Sequence, residues 1–232
     1  MTATDRKKTA RLSGALYLTL GLMAFFGLMY VPGQIKVKGD FVATIQNMLE
    51  KESLFRVGIA SHLSSQIVFI FLAIALYRLF ENVDVNQSRV MFALILVQVP
   101  IVFIAESFNL TALMIAKGEL NSLTDSPPSQ LVIALMKMQS YSIQILQIFW
   151  GLWLLPFGSL VYRCGFIPKF VGILLIIGGV AYMIEGFVCV VQPEVRKMVS
   201  RFSLPAYAVA ELFTIGWLLI KGTTSSQKMQ TQ

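Results

Sequence analysis

Charged residues are scarce in this chain. Asp, Glu, Lys and Arg make up 13% of its 232 residues, while 56% are hydrophobic. A soluble domain carries about 25% charged residues. One core cannot hide so much apolar side chain, so the composition excludes an ordinary soluble domain and requires an outer surface facing lipid. Histidine is nearly absent, and His62 alone excludes a His-rich metal site. There are two cysteines, Cys164 and Cys189, and neither belongs to a CxxC pair, which excludes the usual zinc and dithiol motifs. About 25 residues of helix separate opposite membrane faces, so a bridge between them is not expected. HExxH, GxSxG and the glycine-rich phosphate loop are all lacking, and so are low-complexity stretches and internal repeats. No cofactor is implied.

The net charge of +7 raises the question of nucleic acid. The basic residues are scattered over short loops rather than gathered in a stripe with interleaved aromatics, so nucleic acid is excluded as a partner. Basic loops beside long apolar runs instead fit a lipid bilayer with anionic headgroups. The N-terminus, MTATDRKKTARLSG, precedes an apolar run from Ala15 to Val31. It resembles a signal peptide without an A-x-A-like cleavage site, and it is long enough to span, so it reads as a retained first helix.

Six apolar runs are present, at about 11–32, 57–80, 90–116, 131–162, 170–191 and 204–221. Each meets or approaches the roughly 20 residues of a helical span. The expected fold is an all-α integral membrane protein, a six-helix bundle. Residues 1–10 form a basic cytoplasmic tail, 11–222 the membrane domain and 223–232 a polar tail. Pro32-Gly33 is expected to end the first span, Asp125-Ser126-Pro127-Pro128 the loop before the fourth, and Gly165 to Pro168 to turn the chain before the fifth. Leu204-Pro205 suits the first turn of the sixth. Within 40–50, DFVATIQNMLE, Asp40 can cap a short amphipathic helix with Phe41, Val42, Ile45, Met48 and Leu49 on one face. That helix lies either on the membrane surface or on top of the bundle. Gly172, Gly179 and Gly186 recur every seven residues, as do Gly14 and Gly21, and small residues so spaced let helices approach closely in lipid. Arg6, Lys7, Lys8 and Arg11 form the densest basic cluster, which predicts cytoplasmic termini.

Function is sought among polar residues inside the spans, where a charge costs roughly 2.5–3.5 kcal/mol on insertion scales. The second span holds His62, Ser65 and Gln66. The third holds Gln98, Glu106 and Asn109. The fourth carries Lys137, Ser140, Tyr141, Gln144 and Gln147 at helical spacing. The fifth holds Glu185, and the sixth Tyr207, Glu211 and Thr214. With the N-terminus inside, these groups are biased to the outer halves of five helices. The ligand-contact candidates are His62, Gln66, Glu106, Asn109, Tyr141, Gln144, Glu185 and Glu211. Either their faces converge on one outward-facing polar pocket, or they are interhelical glue. His62 in particular either serves a site or bonds a backbone carbonyl near the interface. Glu106 and Glu185 can equally be neutral donors between helices. One histidine with three glutamates holds a metal only if folding brings them together. Trp150, Trp153 and Trp217 read as interface anchors or packing.

RLSGALYL (11–18), ESLFRVGI (52–59), YRCGFIPKFVGILLIIGG (162–179), YMIEGF (182–187) and PAYAVAELFTIGWLLIKG (205–222) together carry a resemblance. The chain resembles a bacterial multi-pass membrane family catalogued as domain of unknown function 4386, from Arg11 to Gly222. The resemblance implies a single helical membrane domain and no known activity, substrate or catalytic residue. Members often have an acid at Glu185 and a glutamate at Glu211. They often carry an aspartate where this chain reads SHLSSQ (61–66) and a histidine where it reads MQSYSIQ (138–144). Any family-wide metal or proton site is therefore expected to be weakened or rearranged here. These readings favour a non-enzymatic protein of the cell membrane that binds or moves a small solute or lipid headgroup. An intramembrane enzyme using a carboxylate and His62, or an accessory subunit that docks partners, are the alternatives.

Overall fold

The computed structural model describes residues 2–120 and 128–223. The expected turn at Asp125, Ser126 and Pro127 and the tail at 224–232 lie outside the described residues. Among the described residues seven helices follow in order: α1 (Ala3–Ile35), α2 (Phe41–Glu50), α3 (Glu52–Phe80), α4 (Val85–Ala116), α5 (Pro128–Arg163), α6 (Lys169–Val191) and α7 (Arg196–Ile220). All but α2 are long and apolar enough to cross a membrane. The protein is an all-α, multi-pass membrane protein.

Several boundaries differ from expectation, and proline explains two of them. The first helix does not stop at Pro32-Gly33 but runs on to Ile35. A π turn at Phe26–Tyr30 precedes the proline, and the Val31 N–H donates to Phe26 O, five residues back. Pro32 then occupies the first turn of the helical segment that follows, where a missing N–H costs least. Pro205 does not open the last helix. It sits inside α7, which begins nine residues earlier at Arg196. In a lipid-facing helix such a proline is tolerated because neighbouring groups satisfy the freed carbonyl. The N-terminal basic cluster is helical too, since α1 begins at Ala3. As expected, Gly165 turns the chain between α5 and α6, with φ of +70°.

The chain divides into two compact units. The first comprises Met1–Leu18, Phe69–Gln98 and Ile145–Gln232. Its core is an aromatic stack: Trp153 lies over Phe157 with ring centroids 5.5 Å apart, and Phe80 meets Phe157 edge-on at 5.8 Å. Trp153 is therefore packing, not an interface anchor. The α5–α6 contact is built on glycine. A Cβ at Gly158 would stand 2.7 Å from Gly172 O, and one at Gly186 would stand 2.7 Å from Ile148 Cγ1. Gly151 and Gly179 face each other in the same way. The seven-residue glycine spacing on α6 thus meets a matching pair, Gly151 and Gly158, on α5.

The second unit comprises Thr19–Val68 and Val99–Gln144. Its core gathers Val31, Ile35, Met48, Phe55, Ile59, Leu113 and Met136. Asp40 caps α2 by accepting from the Ala43 N–H at 2.9 Å. Met48 is fully buried and Ile45 partly so, while Phe41, Val42 and Leu49 stay exposed. The helix therefore packs on the end of its unit with Thr44 and Met48 inward, and only part of the expected apolar face is covered. Asn47 of α2 and Lys51 just after it finish α1: Asn47 Nδ2 donates to Ile35 O at 3.3 Å, and Lys51 Nζ donates to Gln34 O at 3.1 Å. Helix ends leave carbonyls without intrahelical partners, and these two side chains supply them.

Candidate functional site

The π turn of α1 lets the backbone of Gly27 lie directly on α3. A Cβ on Gly27 would stand 2.7 Å from Gly58 O and 2.8 Å from His62 Cβ. Ser61 Oγ donates to Met23 O at 3.0 Å across the same contact. His62 is thereby held in the interior, 1% exposed. Its Nδ1 lies 2.7 Å from Glu106 Oε1 on α4. Glu106 Oε1 also accepts from Gln139 Nε2 at 3.1 Å, and Oε2 accepts from Asn109 Nδ2 at 2.9 Å. Asn109 lies three residues beyond Glu106, one helical turn, which is why the two meet. Three helices thus converge on one carboxylate. Among the described residues His62 Nε2 has no hydrogen-bond partner. Gln66, one turn along from His62, donates to Ser65 Oγ at 3.0 Å rather than to Glu106.

A cavity of about 20 Å³ adjoins this carboxylate, lined by Lys36, Glu106, Asn109 and Gln139 among others. That is room for one water with polar partners, not for a substrate. A second pocket of about 350 Å³ lies beside it. Its lining includes Lys36, Lys38 and Lys137, with Ser140, Phe41, Ile45, Ile133 and Met136. Lys36 lines both spaces. The second volume falls within the range of small-ligand sites, roughly 300–1,000 Å³.

The pocket wall is positioned by local hydrogen bonding. Thr44 Oγ1 accepts from the Val37 N–H at 2.9 Å and donates to Asp40 O at 2.8 Å. It pins the extended corner that carries Lys36 and Lys38. Lys36 Nζ donates to Ser140 Oγ at 3.0 Å, and Lys137 Nζ stands 5.3 Å from the centroid of the Phe41 ring. Crowding by surrounding protein lowers the pKa of the Lys36 ammonium from its ordinary value, and the Glu106 carboxylate partly opposes that.

Of the remaining candidates, Glu185 and Glu211 belong to the first unit, and Tyr141 and Gln144 to the second. Glu211 accepts from Tyr17 Oη and from Tyr182 Oη, each at 2.7 Å. Tyr182 stacks on Tyr207 with centroids 3.7 Å apart. Glu185 is buried, and its Oε1 accepts from Arg196 Nη2 at 3.3 Å. Tyr141 points to the surface, 53% exposed, and Gln144 is half-buried. Beside the Glu185–Arg196 pair, these hydrogen bonds form two larger carboxylate-centred groups, His62–Glu106–Asn109–Gln139 in one unit and Tyr17–Glu211–Tyr182 in the other. Sequence reasoning missed Gln139, whose polar signal was hidden beside the Ser140–Gln144 stripe. It also missed Tyr17, within a run read as apolar, and Lys36 and Lys38, in the loop after the first span. Among the described residues no three His, Cys, Asp or Glu side chains gather as metal ligands.

No curated protein matches the chain, and neither does any solved structure. The pattern of one family does match, over residues 12–222, nearly the whole length. The chain belongs to that family, described as Domain of unknown function (DUF4386).

Proposed function

We propose that this membrane protein binds a small solute or a lipid headgroup in the pocket of its second unit, without carrying out chemistry on it. The observation that supports this reading is the 350 Å³ pocket at the end of α1, with polar lysine and serine groups set among apolar walls. Ligand sites combine a mostly apolar enclosure with a few placed polar groups. With the basic N-terminal cluster on the cytoplasmic side, α1 runs outward and the pocket opens on the outer face of the cell membrane.

The test is a melting-temperature screen of the full-length protein in detergent with glycerol, choline and glycerol 3-phosphate. At least one should raise the melting temperature of the wild type. Ile133→Trp, which fills the pocket, should remove the shift while the protein still melts cooperatively. The reading fails if no compound shifts the wild type, or if the shift survives in Ile133→Trp.

One observation favours an enzyme instead: the buried His62–Glu106 contact of 2.7 Å, an acid–base pair by composition. Its weakness is access, because the space at Glu106 takes about one water. Turnover of a compound that binds, lost in Glu106→Gln, would establish this second reading.

A further inference from the structure

Charge pairing is uneven across the second unit. Glu52 pairs with Arg56 at 2.7 Å and with Lys117 at 3.1 Å, and Lys117 also reaches Glu119 at 3.0 Å. In the first unit Arg163 pairs with Asp84, and Arg196 with Glu185. Lys36, Lys38 and Lys137 line one pocket, and none of them forms an ion pair among the described residues. No carboxylate is part of the described lining. Asp40, nearest along the chain, caps α2, and Glu106, whose field reaches Lys36, accepts from Asn109 and Gln139 beside the smaller cavity; neither is part of the described lining. Three ammonium groups around one concavity repel each other, and an anion placed between them relieves that repulsion.

The setting narrows the anion. The pocket lies beyond Ile35, where the apolar stretch of α1 ends, and next to the exposed apolar residues Phe41 and Val42 of α2. That is the depth at which headgroups sit against a span. Ile45, Ile133 and Met136 give the pocket an apolar wall beside its charges. We infer that the ligand is a phosphate ester, held by Lys36, Lys38 and Lys137 with Ser140 as a hydroxyl partner and its carbon portion against that wall. Lys36 shares one of its three N–H donors with Ser140 and keeps two for phosphate oxygens. This inference rests on the pocket reading above and adds the ligand's chemistry. The ester is either the headgroup of an anionic phospholipid or a soluble phosphate ester, since both present the same oxygens.

The experiment uses full-length protein in nanodiscs of phosphatidylcholine with a minor fraction of phosphatidylglycerol, and native mass spectrometry to count retained lipids. The wild type should retain phosphatidylglycerol over phosphatidylcholine by about tenfold or more, the scale of a charge-assisted contact. The double substitution Lys36→Gln with Lys137→Gln should remove that preference. Lys7→Gln with Lys8→Gln, a control of equal charge change, should keep it. Displacement of the lipid by glycerol 3-phosphate supports the phosphate ester and assigns a soluble source. Retention of the lipid against glycerol 3-phosphate supports it and assigns a membrane source. An unchanged preference in the double variant overturns the inference. If glycerol or choline binds and is lost in Ile133→Trp while no phosphate ester binds, the inference falls and the pocket reading stands. If nothing binds, both fall.

Discussion

Three side chains lean on Glu106, and this decides how its substitutions will behave. Glu106→Ala strands two buried amides and an imidazole nitrogen that now reach the carboxylate at 2.7–3.1 Å. An unsatisfied buried polar group costs about 1–3 kcal/mol, so the loss should be about 3 kcal/mol or more, read as a large drop in melting temperature. Glu106→Gln should cost much less. Its carbonyl can serve His62 and Gln139, and Asn109 can turn its own oxygen toward the new amide. Equal losses in the two variants would show that charge, not hydrogen bonding, is what the site requires. Lys36 carries a second prediction at this scale. Its pKa is lowered, chiefly by crowding and against the field of Glu106, with Lys38 and Lys137 sharing its pocket. A lysine with a lowered pKa loses its proton earlier as pH rises. Binding of a phosphodiester, which does not titrate between neutral and alkaline pH, should therefore weaken before the ordinary lysine range near ~10.4 is reached. Binding that holds to that range in a pH series would contradict this.

Among the helices, glycine spacing alone misleads. Gly14 and Gly21 share a seven-residue repeat on α1, yet only Gly14 faces another helix. A Cβ at Gly14 would stand 2.7 Å from Leu219 N, whereas Gly21 has nothing within 4 Å. Gly27 lies outside that repeat and is as tightly placed, against the backbone of Gly58 and against His62. A helix has an exposed side, and the repeat does not say which side it marks. Gly27→Ala should thus destabilise by about 1–3 kcal/mol, because the obstacle at Gly58 is backbone and cannot rotate away. Gly21→Ala should be neutral or stabilising by up to about 1 kcal/mol, since it only removes glycine's entropy cost within a helix. Paired denaturation of the two variants checks this, and equal effects would refute the contact geometry. The π turn at Phe26–Tyr30 was equally out of reach of pattern reading. Pro32-Gly33 signals a stop, yet the helix continues past it, with a shifted hydrogen-bond register just before the proline.

At the level of the whole molecule, six spans follow directly from long apolar runs, because hydrocarbon tolerates little else over about 20 residues. The polar groups were visible for the same reason, since each breaks an apolar run. Their partners were not, because pairing depends on which helix faces meet. Tyr17 gave no warning that it would hold Glu211, nor Gln139 that it would hold Glu106. An even number of spans places both termini on one side, and the Arg6–Arg11 cluster predicts that side to be cytoplasmic. The native cysteines permit a direct test. Cys164 sits in the turn after α5, on the side of the N-terminus by this count, and is partly exposed, whereas Cys189 is buried in α6. Lys38→Cys would add a thiol at the far end of α1. A membrane-impermeant maleimide applied to intact cells should label Lys38→Cys and spare Cys164. Cys164 should react once the membrane is opened, slowly, because burial raises its thiol above the usual pKa and thins its thiolate. Labelling of Cys164 in intact cells, with Lys38→Cys protected, would reverse the orientation and turn the lysine pocket toward the cytoplasm, where soluble phosphate esters rather than outer-leaflet lipids would reach it first.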